Sequence, residues 1–73
     1  SGMDRLMPTV ANVVAQIAIS GATKDGTTSA PEDLVVNDMI ELGLSKPEVL
    51  EIVQRTVKLG VAAREAGKLV LLK

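Results

Sequence analysis

The residues of this chain that could do chemistry are its charged and amide side chains, because it contains no histidine and no cysteine. That composition removes thiol catalysis, disulfide bonds and the usual zinc sites. Five of the six acids of residues 1–44 occupy helix-capping or helix-surface positions without a glycine-rich phosphate cradle beside them; they are Asp4, Glu32, Asp33, Asp38 and Glu41. We therefore expect no enzymatic activity, no catalytic residue, no metal ion and no cofactor.

Six residues of the second half could instead bind a nucleic acid: Lys46, Gln54, Arg55, Lys58, Arg64 and Lys68. Arginine and lysine bind phosphate or guanine, and glutamine reads adenine. Residues 45–73 hold six bases against three acids, whereas residues 1–44 hold six acids against two bases. An anionic partner would therefore meet the second half. Because the chain has no aromatic residue, base stacking of the kind that single-strand and RNA binders use is excluded.

A purely structural interpretation of the same residues stays open. Glu51 and Arg55 are spaced to form an i, i+4 ion pair, and Glu48 suits a helix cap, which would leave this helix face merely solvated. Arg64 and Lys68 are equally suited to protect an edge strand from aggregation.

Three helices are expected to position these side chains. The first runs from residue 8 or 9 to 20, since Val10, Val13 and Ile17 recur with helical spacing and Gly21 follows. The segment 20–29 is predicted to be a loop that turns at Asp25-Gly26 and leads into a short strand over 27–29, which could pair with a later hairpin. It lacks the lysine of a phosphate-binding loop.

Two capping boxes predict where the next helices begin. Ser29 to Glu32 predicts a helix from about residue 30 to Gly43, and Ser45 to Glu48 predicts one over 46–59. The second helix carries apolar residues around more than half of its circumference, so a core or a partner must cover it. Met39 on that helix is the residue that we expect to contact a protein partner.

The end of the chain is predicted to be a β-hairpin, with strands over 61–64 and 68–72 around Glu65-Ala66-Gly67. Alanine is a poor first residue for a type I′ turn, so a turn with a glycine bulge is expected. The order of elements resembles the winged helix-turn-helix class, and the ending KLGVAAREAGKLVLL is similar to the helix-end, strand, glycine-turn, strand signature of its members. The resemblance covers residues 9–72.

This resemblance implies a mainly α fold, three helices followed by a small C-terminal β-hairpin, with 46–59 as recognition helix and 64–68 as wing. It implies a double-stranded DNA-binding transcriptional regulator, expected to be a homodimer because one module makes few contacts. The acidic first half, together with Glu48 and Glu51, departs from DNA-reading members. The alternative is a protein-protein interaction module of the same fold without DNA binding.

The expected organisation is a tag remnant at residues 1–2, an N-terminal tail at 3–8 and one domain over 9–73. The longest apolar stretch, 10–19, is interrupted by Asn12 and Gln16 and is far shorter than the roughly 20 residues of a membrane span. We therefore expect that the protein does not enter a membrane. The other expectations are a cytoplasmic location and binding to DNA, to a second copy or to another protein.

Overall fold

The structure of the protein is a computed structural model that describes residues 7–73. The predicted tag remnant and nearly all of the predicted tail therefore lie outside the described residues. Within these residues, three helices and four strands follow in the order α1 (Val10–Ser20), β1 (Ala22–Lys24), β2 (Thr27–Pro31), α2 (Glu32–Glu41), α3 (Lys46–Lys58), β3 (Ala62–Glu65) and β4 (Lys68–Leu71). The strands form one antiparallel sheet in the order β1-β2-β4-β3.

The predicted fold class, a mainly α winged helix-turn-helix with three helices and one C-terminal hairpin, is wrong. A second hairpin, β1 and β2, lies between α1 and α2, and both hairpins join in one sheet. Its loop has only two residues, Asp25 and Gly26, both at positive φ, and such loops match the twist of paired strands. The segment predicted to be a loop with one short strand is therefore mostly sheet, and the terms recognition helix and wing do not carry over to α3 and β3–β4.

Side-chain caps begin α1 and α3. The Thr9 hydroxyl accepts from the Asn12 amide at 3.1 Å, and the Thr9 amide donates to Asn12 Oδ1 at 2.9 Å. The Ser45 hydroxyl accepts from the Glu48 amide at 3.4 Å and donates to Glu48 Oε1 at 2.6 Å. Each cap satisfies an amide that the first helical turn leaves without a partner. The predicted start of α3 at residue 46 is confirmed.

The capping box predicted at Ser29 is wrong, because the chain is still extended there. Ser29 and Pro31 belong to β2 and pair with Val70 and Lys68 of β4, so α2 begins at Glu32 without a side-chain cap. The Glu32 amide donates instead to the carbonyl of Gly67 in the β3–β4 loop, at 2.9 Å. The start of α2 is thus satisfied by the turn of the other hairpin.

The core lies between the helices and one face of the sheet. Every element except β1 contributes a buried apolar side chain; these are Val13, Ile17, Ala30, Val35, Val36, Met39, Val49, Val53, Ala62 and Leu69. Leu69 lies on the central strand β4, directly opposite both Ala30 and Arg64 in the ladder. Directly opposed residues point to the same face of a sheet, so Arg64 also faces the helical layer.

The β3–β4 turn differs from the predicted glycine bulge. Glu65 pairs with Lys68, which leaves the two-residue loop Ala66-Gly67 with φ of 49° and 78°. Positive φ at both positions is that of a type I′ turn. An alanine there is strained by about 1 kcal/mol, because its Cβ crowds the following carbonyl oxygen.

Replacing Ala66 with asparagine is expected to raise the free energy of unfolding by about 0.5–1 kcal/mol, since asparagine tolerates this conformation. Urea denaturation followed by circular dichroism would show a higher midpoint at an unchanged slope. Asp25→Asn is the matched control, because Asp25 already occupies the same position of the other hairpin. An unchanged or lower midpoint for Ala66→Asn alone would contradict the strain.

Candidate nucleic-acid interface

The outward side of α3 carries three polar side chains that sit together. Val49, Val53 and Thr56 are fully buried on its inner side. Gln54, Arg55 and Lys58 lie on the opposite side and are exposed, and their i, i+3 and i, i+4 spacing makes them neighbours. We call these three residues the donor face. The predicted separation of the two sides is confirmed at these positions, although Leu50 and Leu59, which the periodicity placed inside, are exposed.

The side chains of the donor face are not engaged by the rest of the described protein. Within residues 7–73, no side-chain hydrogen bond or ion pair involves Gln54, Arg55 or Lys58. The ion pair predicted between Glu51 and Arg55 is not formed. These donors can therefore bind an external acceptor without breaking an internal bond, whereas an ion-paired face would lose one.

Lys46, Glu48 and Glu51 are the other charged residues of α3. Lys46 is exposed at the first helical position, about 18 Å along the axis from Lys58 at 1.5 Å per residue. Glu48 is half-buried and accepts the Ser45 hydroxyl, which supports its predicted capping role. Glu51 is exposed and lines a shallow pocket with Arg55. A single exposed acid thus lies beside the donor face.

Arg64 is committed to the fold. Its Nε lies 2.9 Å from Glu32 Oε1 and its Nη2 lies 3.3 Å from Oε2, a two-point contact between β3 and the start of α2. Since both side chains are partly exposed, we expect this pair to stabilise the protein by about 1 kcal/mol or less. The contact holds the β3–β4 hairpin against α2. While Arg64 is paired with Glu32, its guanidinium is not available to bind a nucleic acid.

Lys68 is the free cation of the β3–β4 hairpin. It is opposite Glu65 in the ladder and projects from the sheet face that the helices do not cover. Among residues 7–73 it has no ion pair. The structure therefore unites Gln54, Arg55 and Lys58, places Lys46 at the far end of the same helix, and leaves Lys68 on the strand pair that follows α3.

A second surface, an apolar groove of about 330 Å³ between α1 and the end of α2, was not predicted. Met39, the predicted partner contact, is only 1% exposed and lies at its floor, whereas Ile19 and Leu42 at its edge are 75% and 65% exposed. Asn12, Ala15, Gln16 and Ile19 line its α1 side. Their i, i+3, i+4, i+7 spacing, in a helix without any charged residue, was the available sequence signal.

Neither surface resembles a metal site or a membrane segment. Across residues 7–73, no three acidic side chains converge in a way that could hold a metal ion. In the same part of the chain, no helix has the length and apolar character needed to span a bilayer. No protein-family model, curated protein or solved structure matches this chain.

Proposed function

We propose that this protein binds double-stranded DNA by placing the donor face of α3 in the major groove. The observation that carries the proposal is the set of three adjacent, exposed side-chain donors that have no partner among residues 7–73. An α-helix with its side chains is about 10–12 Å across, which matches the roughly 12 Å width of that groove. The exposed side of α3 is therefore suited in both chemistry and size to a duplex.

Each residue has a role that follows from its chemistry. Gln54 would make two hydrogen bonds to an adenine edge, and Arg55 would do the same with guanine. Lys58, Lys46 and Lys68 would bind phosphates, which set the position of the protein on the duplex. Glu51 would accept from the amino group of cytosine. In this arrangement Arg64 stays paired with Glu32 and supports the hairpin.

The biological role that fits such a module is transcriptional regulation, with two copies on one duplex. A single module offers few contacts, and pairing doubles them. The cytoplasmic location expected from the sequence belongs to the same proposal, because a chain without cysteine has no need of an oxidising compartment.

Fluorescence anisotropy with labelled duplex DNA at about 50 mM and 200 mM salt tests the proposal. Three phosphate-binding cations predict that log K falls with log salt at a slope of about −2.5 to −3, so affinity drops roughly fortyfold between the two conditions. A single strand of the same length is the control and should bind more weakly, because the chain has no aromatic side chain for stacking. Absence of duplex binding at the lower salt would reject DNA as the ligand.

A protein-interaction module without DNA binding is the second candidate function, and the apolar groove favours it. Ile19 and Leu42 expose apolar surface that water solvates poorly. If this were the whole function, the anisotropy titration would show no duplex binding, while substitutions in the groove would abolish association with protein.

A further inference from the structure

We infer that the groove between α1 and α2 is the contact between two copies of this chain, with Ile19 of each copy entering the groove of the other. We call its exposed or partly exposed apolar residues the pairing face: Met7, Ala15, Ile19, Leu42 and Leu44. Residues of α1 line one wall along the helix, and the end of α2 with the following turn forms the other. A helix presented by a partner fits such a groove.

The charge distribution favours a second copy as the occupant. Among residues 7–73, none of those that line the groove is charged, and α1 contains no charged residue over its whole length. A partner that presented charges here would lose their hydration without gaining a counter-charge. The other helical surfaces of this chain carry charge: α2 exposes acids, and α3 exposes bases and an acid. The pairing face of a second copy is itself uncharged, so it can cover this groove without burying a charge.

The shape of the face is also self-complementary. Ile19 is 75% exposed and projects beside the groove that it helps to line. A two-fold axis near the middle of α1 would set two α1 helices antiparallel and bring each Ile19 over the opposite groove. Ala15, at the centre of the stripe, has a small side chain that permits close approach of the two helices. One surface thus supplies both the projection and the recess.

The buried polar side chain of the groove, Gln16, is already hydrogen-bonded inside each copy. Gln16 Nε2 donates to Ser20 Oγ at 2.7 Å, and Ser20 Oγ donates to Asp38 Oδ2 at 2.7 Å. These two hydrogen bonds also join α1 to α2, which fixes the two walls of the groove. When a second copy covers the groove, the Gln16 donor therefore keeps its hydrogen bond, and dimer formation avoids the desolvation cost of an unsatisfied group.

The available area predicts a weak pairing. A standard interface buries roughly 800 Å² per partner, about a sixth of the 4880 Å² surface of this chain. The pairing face is one helix and one turn wide, so we expect an interface no larger than this and a dissociation constant at the weak, micromolar end of the range that interfaces of this size cover. When a dimer binds one duplex through its first donor face, the second donor face is held at high effective concentration near the same duplex, which raises the overall affinity. Dimer formation itself needs no DNA.

Sedimentation equilibrium without DNA, from low micromolar to near-millimolar protein, tests the inference. The average mass should rise with concentration from 7.6 kDa to twice that value. Ile19→Glu should remain monomeric, because each pairing would bury two uncompensated charges. Leu72→Glu is the matched control, a half-exposed leucine outside the groove that receives the same charge, and it should pair like the unmodified protein. Circular dichroism of both variants would check that they fold.

A cysteine variant supplies independent evidence, since the chain has no cysteine of its own. Ala15→Cys should form a disulfide-linked dimer on mild oxidation much faster than Ala22→Cys, an exposed alanine on β1. A protein that stays at 7.6 kDa throughout the concentration range overturns the inference. So does a dimer that survives Ile19→Glu, or equal crosslinking of the two cysteine variants. Because these measurements contain no DNA, they can fail without any effect on the proposed DNA binding.

Discussion

Replacing Gly21 with alanine is expected to cost at least about 3 kcal/mol of the free energy of unfolding, a large part of the 5–15 kcal/mol typical of small domains. A Cβ at this position would lie 2.0 Å from the carbonyl oxygen of Ser29 and 2.7 Å from the Ala30 side chain. Ser29 cannot yield easily, because it pairs with Ala22 on one side and Val70 on the other. Urea denaturation followed by circular dichroism measures the loss.

Gly43→Ala separates the effect of space from that of backbone conformation. Gly43 has φ of 99° but no atom within 4 Å of its would-be Cβ, whereas Gly21 has an ordinary φ of −114°. The control should therefore lose only about 1 kcal/mol, from strain at positive φ. Equal losses for the two variants would show that β2 can move away from α1, contrary to the close packing described above.

The double change Arg55→Ala with Lys58→Ala is expected to weaken duplex DNA binding by about tenfold to several hundredfold at moderate salt. It removes the two cations of the donor face, one of which would contact a base and the other a phosphate. The salt slope should become shallower by about 1, since one of the two cations contacts a phosphate and roughly one counterion is released for each phosphate contact. Anisotropy titrations at several salt concentrations would measure both effects.

Lys24→Ala with Lys73→Ala is the control for net charge. It removes the same number of positive charges from exposed positions beside the β1–β2 hairpin. That hairpin forms one edge of the sheet, whereas α3 packs on β3 at the other edge. This pair should lower affinity less than twofold and leave the slope nearly unchanged. If the two double variants lost affinity equally, binding would depend on overall charge, and α3 would have no special role.

The helices that position the candidate site were predictable because their signals are local. The spacing of Val10, Val13 and Ile17 led to α1, and the cap at Ser45 led to α3 at the residue where it begins. Both signals depend on atoms within four residues of each other. The donor face followed from the same periodicity and is exposed where it was expected.

The sheet was predicted only in part, because its partners are distant along the chain. Ser29 and Glu32 match a capping box locally, but pairing with β4 keeps Ser29 extended and outweighs the cap. β1 has only three residues, too few to show an alternating pattern, although Asp25-Gly26 is a strong hairpin signal. Nor did the sequence reveal that Arg64 would be held by Glu32, 32 residues away.

The position of β4 has a consequence for how fast the protein can fold. It is the last strand of the sheet along the chain, yet it lies between β2 and β3, with Leu69 opposite Ala30. The helices and the two hairpins form from contacts between residues that are near each other in the sequence. The pairing of β2 with β4, in contrast, requires two strands that are separated by α2, α3 and β3 to meet. The chain between them must lose conformational entropy before the hydrogen bonds between β2 and β4 compensate for that loss. Docking of one hairpin on the other should therefore limit the folding rate, after the helices have formed.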